Sequence, residues 1–136
     1  MAQSPWGTGG ARPLSGRKVL VVDDQFDILE LIACVLGTTG CDVLTTESAP
    51  AARTLLRELD FDLLITDIVL GEANGYALAA WARALKPSLG LIYISAHAQE
   101  RRRAARPGQG TLLAKPFRLA QLLASVERAL RPERLH

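Results

Sequence analysis

From Lys18 onward, short unbroken apolar runs alternate with segments whose apolar residues recur every three or four positions. Lys18 to Val22 (KVLVV) is β-branched and continuous, the pattern of a strand buried on both faces. Ile28, Leu29, Leu31, Ile32, Val35 and Leu36 follow at helical spacing, and Gly37 and Gly40 mark that helix's end. Cys41 to Thr46 predicts a second, more polar strand suited to a sheet edge. Ser48 is placed to cap a helix running through Leu55 and Leu56. Asp62 to Thr66 reads as the third strand, Tyr76 to Leu85 as the third helix and Leu91 to Ser95 as the fourth strand. An Arg-rich fourth helix is expected next, stopped by Pro107. Thr111 to Ala114 supplies the fifth strand, and Leu119, Leu122, Leu123, Val126 and Leu130 mark a closing amphipathic helix.

Repeated strand-then-helix order implies an α/β domain, a parallel sheet covered on both faces through right-handed crossovers. With 136 residues, 49% of them hydrophobic, the chain can bury one sizeable core. We expect a flexible Gly-, Pro- and Ser-rich leader over residues 1–16, one domain over 17–131 and a short tail over 132–136. Trp6, within the leader, has no evident role. A net charge of +2 is too small to argue for nucleic acid, so Arg101, Arg102, Arg103 and Arg106 are read as a solvated helix face. Cys34 and Cys41 lack metal-ligand spacing and read as reduced packing residues. No apolar run is long enough for a membrane span, and the N-terminus has no signal-peptide core, so a cytoplasmic protein is expected.

The polar residues that carry chemistry fall at strand ends. The first strand finishes in Asp23 and Asp24, the third in Asp67 and the fourth in Ser95, while the fifth runs into Lys115. In open α/β sheets, ligands bind outside the carboxyl ends of the strands. Three carboxylates gathered there repel one another unless a cation intervenes. Mg²⁺ fits, because it prefers hard oxygen ligands and is often completed by a phosphate. Lys115 offers a compact positive charge to a phosphoryl oxygen, and Ser95 a hydroxyl donor. A carboxylate nucleophile, a metal, a cation and a hydroxyl together describe phosphoryl transfer onto Asp. Each residue alone has a simpler role: Asp23 or Asp24 as a helix cap, Asp67 as a turn residue, Ser95 as a loop hydroxyl, Lys115 as a surface charge. Their joint placement favours the site.

Five fragments in register resemble the receiver domains of bacterial two-component response regulators. They are VLVVDDQ at Val19 to Gln25, LLITDIVL at Leu63 to Leu70, NGYAL at Asn74 to Leu78, ISAH at Ile94 to His97 and LAKPF at Leu113 to Phe117. The resemblance implies a flavodoxin-like doubly wound sheet of five parallel strands in the order 2-1-3-4-5. It implies Asp67 as the phosphoacceptor. Asp23, Asp24, Asp67 and the backbone carbonyl of Val69 would hold Mg²⁺. Ser95 matches the switch hydroxyl, Ala96 the small residue beside the phosphoryl group and Lys115 the phosphate-binding lysine. Pro116 matches a proline usually preceded by a cis peptide bond. The domain would take phosphate from a sensor histidine kinase or histidine phosphotransfer protein and promote its own phosphorylation and dephosphorylation, rather than act as an enzyme on outside substrates. It would then present a changed face to a downstream protein.

The sequence departs from that family in three places. Leu112 stands where receivers usually carry an aromatic three residues before the lysine, the segment between Ser95 and Lys115 is about two residues shorter than is common, and Gly71 and Glu72 stand in the loop after Asp67 where the family often has proline. Beside the switch stand two alternatives: a fold-retaining interaction module that no longer uses phosphate, and a receiver piece of a larger hybrid kinase or regulator. An aspartate-based phosphatase is disfavoured, since Val69 occupies the place of its second carboxylate. No DNA-binding output segment and no membrane contact are expected, His97 is either a residue affecting water access to the site or an exposed loop histidine, and a homodimer through the fourth helix, fifth strand and fifth helix stays open.

Overall fold

The computed structural model describes residues 14–96 and 110–131. The elements run β1 (Lys18–Val22), α1 (Phe26–Gly37), β2 (Asp42–Thr46), α2 (Ala49–Glu58) and β3 (Leu63–Asp67). A two-residue pair follows, β4 (Val69–Leu70) and β5 (Ala73–Asn74), then α3 (Gly75–Leu85) and β6 (Gly90–Ser95). The last described elements are β7 (Thr111–Ala114) and the helix Leu119–Leu130, here α4.

The long strands form one sheet in the order β2-β1-β3-β6-β7, all neighbours parallel. Counting long strands only, this is the order 2-1-3-4-5, so the flavodoxin-like doubly wound fold stands. Alternation along each strand sends side chains to two separate cores. Val19, Val21, Ile65, Ile92 and Ile94 pack under Leu29, Ile32 and Leu36 of α1 and Leu122, Val126 and Leu130 of α4. Leu20, Val22, Leu64, Leu91 and Tyr93 pack under Ala49 and Ala52 of α2 and Leu78, Ala79 and Ala82 of α3. β2 is the polar edge, where Asp42, Leu44 and Thr45 stay exposed.

Several details differ from the sequence reading. β3 runs Leu63–Asp67, one residue later at each end than the run Asp62 to Thr66, and it finishes in Asp67 as read. The antiparallel β4–β5 pair was not anticipated, because two-residue strands carry no periodicity. Leu14, assigned to the leader, is buried on the α1 side, and its N–H donates to the Thr39 carbonyl. Cys41 is buried, but Cys34 lies on the exposed face of α1 and is not a packing residue. The Arg-rich helix, His97, Trp6 and the 132–136 tail lie outside the described residues. Among the described residues, no helix is long and apolar enough to cross a membrane.

Candidate functional site

Asp67 ends β3 with 8% of its surface exposed. Register brings its neighbours to the same sheet edge. Thr66 pairs with Val22, the residue before Asp23, on one side. On the other, Asp67 pairs with Ile94, the residue before Ser95. Ser95 in turn pairs with Ala114, and its carbonyl accepts a 2.8 Å hydrogen bond from the Lys115 N–H. Three parallel pairings thus deliver Asp23, Asp67, Ser95 and Lys115 to one rim, as the doubly wound topology requires. The Lys115–Pro116 peptide bond is cis.

The chain on either side of Asp67 is held by its own backbone. The Val69 N–H donates to Asp67 Oδ1 at 3.0 Å. The Gly75 N–H donates to the Ile68 carbonyl at 2.7 Å, which closes the β4–β5 excursion. A Cβ on Gly75 would sit 2.1 Å from the Asp67 carbonyl oxygen, so only glycine permits this approach. Asn74 caps α3, its Oδ1 accepting from the Tyr76 N–H at 2.7 Å.

Lys115 spans the carboxylates. Its Nζ lies 3.0 Å from Asp67 Oδ2 and 3.1 Å from Asp23 Oδ2, and it donates to Gln25 Oε1 at 2.6 Å. The Asp23 contact is an ion pair without an aligned hydrogen bond, leaving Oδ2 of this fully buried carboxylate without a hydrogen-bond donor among the described residues. Asp23 Oδ1 accepts from the Gln25 N–H at 2.8 Å. Burial pushes the Asp23 pKa above its ordinary 3.8, more than the Gln25 N–H and Lys115 lower it. For Lys115 burial acts to lower the pKa, but the hydrogen bond to Asp67 and the close negative charges of Asp23 and Asp67 outweigh it, and the pKa is raised above 10.5.

Carboxylate oxygens of Asp23, Asp24 and Asp67 all lie within 4.8 Å of one another, with Asp24 exposed at the mouth. Hard oxygen donors so close, one of them buried with no hydrogen-bond donor, fit a divalent cation such as Mg²⁺. Lys115 alone neutralises only part of this charge.

Residues 19–127 match the response regulator receiver domain family. The chain belongs to that family. Among relatives of this receiver domain, the response regulator receiver protein CpdR of Brucella abortus is 29% identical over 116 residues, covering 84% of this chain and 97% of CpdR. The DNA-binding transcriptional regulator NtrC of Azospirillum brasilense is 34% identical over 119 residues, covering 86% of this chain but only 25% of NtrC. A receiver protein from Sinorhizobium medicae is similar in structure, with a TM-score of 0.78 and 30% identity over 88% of this chain and 98% of that one. The receiver domain thus spans about a quarter of the NtrC relative and nearly the whole of CpdR.

Two features of the site went unread in the sequence. Gln25, the polar residue directly after the acid pair, reaches Lys115; its position at the entrance to α1 was the available signal. Tyr93 stands opposite Leu112 in the β6–β7 register and meets Tyr76 edge-on, ring centroids 4.9 Å apart. An aromatic is therefore present beside Leu112, one strand away from the usual place. Trp81, half-buried on α3, lies under the guanidinium groups of Arg53 and Arg57 at 5.4 and 5.8 Å and is a packing residue.

Proposed function

We propose that this receiver domain is a two-component phosphoacceptor that takes a phosphoryl group from a phosphohistidine donor onto Asp67. The observation that carries the reading is the Lys115 amine lying 3.0 Å from Asp67 and 3.1 Å from Asp23, beside a three-carboxylate cluster. Asp23, Asp24, Asp67 and the Val69 carbonyl are the residues that would hold Mg²⁺. When bound, Mg²⁺ neutralises charge on the transferring phosphoryl group.

The chain's own residues do the rest. Asp67 is the nucleophile: one carboxylate oxygen forms the bond to phosphorus while the phosphorus–nitrogen bond of the donor histidine breaks and returns its electron pair to the imidazole. The Val69 N–H and the Lys115 amine fix the carboxylate before reaction, so little reorganisation is needed. Lys115 then donates to a phosphoryl oxygen, with Ser95 as the second donor and Ala96 leaving room beside it. Hydrolysis of the acyl phosphate returns the carboxylate. Leu112, facing Tyr93, and Pro116 lie next to these groups and complete the region expected to change on phosphorylation.

The donor is a sensor histidine kinase or histidine phosphotransfer protein, and the reader is a downstream protein or a further part of a longer regulator. The relatives favour both arrangements, since CpdR is nearly the length of this domain and NtrC is about four times as long. Incubation with Mg²⁺ and acetyl phosphate should add one phosphoryl mass to the wild type and none to Asp67→Asn. No modification with acetyl phosphate or a histidine kinase would favour a module that keeps the fold without the phosphate chemistry.

A further inference from the structure

The ammonium of Lys115 is more engaged than phosphate binding alone requires. Its hydrogen bonds go to Asp67 Oδ2 at 3.0 Å and to Gln25 Oε1 at 2.6 Å, while Asp23 Oδ2 at 3.1 Å receives no aligned one. Lysine has three protons to donate and accepts none. Three oxygens already lie within 3.1 Å of this amine, so a phosphoryl oxygen that is to be gripped by it competes with them for room.

The three oxygens are unequal. Asp23 is fully buried, its other oxygen held by the Gln25 N–H, and it belongs to the carboxylate cluster. Asp67 carries the reacting oxygens. Gln25 is neutral, exposed and attached by a flexible side chain, so its release disturbs least. A charged phosphoryl oxygen is also the stronger acceptor for an ammonium than an amide oxygen is.

From this geometry, and resting on the phosphoacceptor reading above, we infer that Gln25 is a positioning residue whose amide oxygen occupies the place on Lys115 that a phosphoryl oxygen takes. Phosphorylation then releases the Gln25 side chain, while its backbone N–H stays on Asp23. Gln25 is the N-cap residue of α1, and Phe26 beside it is 58% exposed. The release thus changes the surface at the start of α1, on the opposite side of β3 from Ser95.

The test is the affinity for beryllofluoride, a phosphoryl mimic, at saturating Mg²⁺, in wild type, Gln25→Met and Gln25→Glu. Met keeps the length of the side chain and removes the acceptor. It should bind the mimic about 3-fold to 10-fold more tightly, the range set by the net worth of one hydrogen bond. Glu, a charged acceptor, should hold Lys115 harder and bind the mimic more weakly than wild type. A side chain that merely supported the fold would not give opposite signs. Equal or weaker binding by Gln25→Met, with wild type binding normally, overturns this role for Gln25 and leaves the phosphoacceptor reading intact. A wild type that neither binds the mimic nor accepts phosphate from any donor overturns both.

Discussion

Asp23 is buried at an electrostatic cost. Its raised folded-state pKa means the fold holds that proton more tightly than the unfolded chain does. The stability tied to the proton is present below the ordinary value of 3.8 and is lost as pH rises through the raised value, so ionised Asp23 is a net cost at neutral pH. Asp23→Asn should therefore raise the metal-free melting temperature at pH 7, with the difference shrinking as pH falls toward 3.8, and should blunt the rise that Mg²⁺ produces in wild type. Melting curves across pH, with and without Mg²⁺, check both. Steric tension is greatest at Gly75, where a Cβ would overlap the Asp67 carbonyl. Gly75→Ala should cost about 1–3 kcal/mol in urea unfolding, the range for overpacking a tight site. By contrast, Gly37 has open space around its missing Cβ, and Gly37→Ala should stabilise by about 0.4–1 kcal/mol. The acid pair, Asp67 and Lys115 were legible as residues because each interrupts an apolar strand pattern at its end. The Gln25 contact was not, because it joins positions 90 apart in sequence and depends on where one flexible amide points.

At the scale of elements, the strands were read nearly to the residue, since strands buried on both faces form near-continuous apolar runs and admit polar side chains only toward their carboxyl ends. Helix starts were legible where a side chain caps them. Ser48 accepts from the Ala51 N–H at 3.2 Å, as its position before α2 implied. Ser48→Ala should cost about 1 kcal/mol of stability by urea titration, while acetyl phosphate labelling of Asp67 stays at the wild-type level because the hydrogen bonds of Ser48 go to Ala51 and Ala52 within α2. The β4–β5 pair lay beyond sequence reasoning for a physical reason. Its strands are two residues long, and its bend uses Gly71 at φ 63° rather than any repeating pattern. It nevertheless matters, because it carries Val69, whose N–H orients Asp67.

Across the whole molecule, the buried titratable groups point one way in alkali. Burial raises Tyr93 above 10.0 and Cys41 above 9.0, and in Lys115 the two neighbouring carboxylates overcome burial and raise it above 10.5. Each contributes stability that is complete below its ordinary value and lost as pH rises through the higher folded-state value. Unfolding free energy should therefore decline steadily from pH 9.0 upward, and Lys115→Met should remove the part of that decline tied to the highest of the three. Urea titrations at successive pH values would detect it. The two-faced core and the identity of the acidic, hydroxyl and basic residues were determined by the sequence, because burial periodicity and polar interruptions are local properties of the chain; the order of strands was implied only by the family resemblance. Only tertiary structure decided which of those residues share a charge. The distances among Asp23, Asp67, Lys115 and Gln25 follow from strand register and from a glycine-sized gap, and neither is written in any single segment.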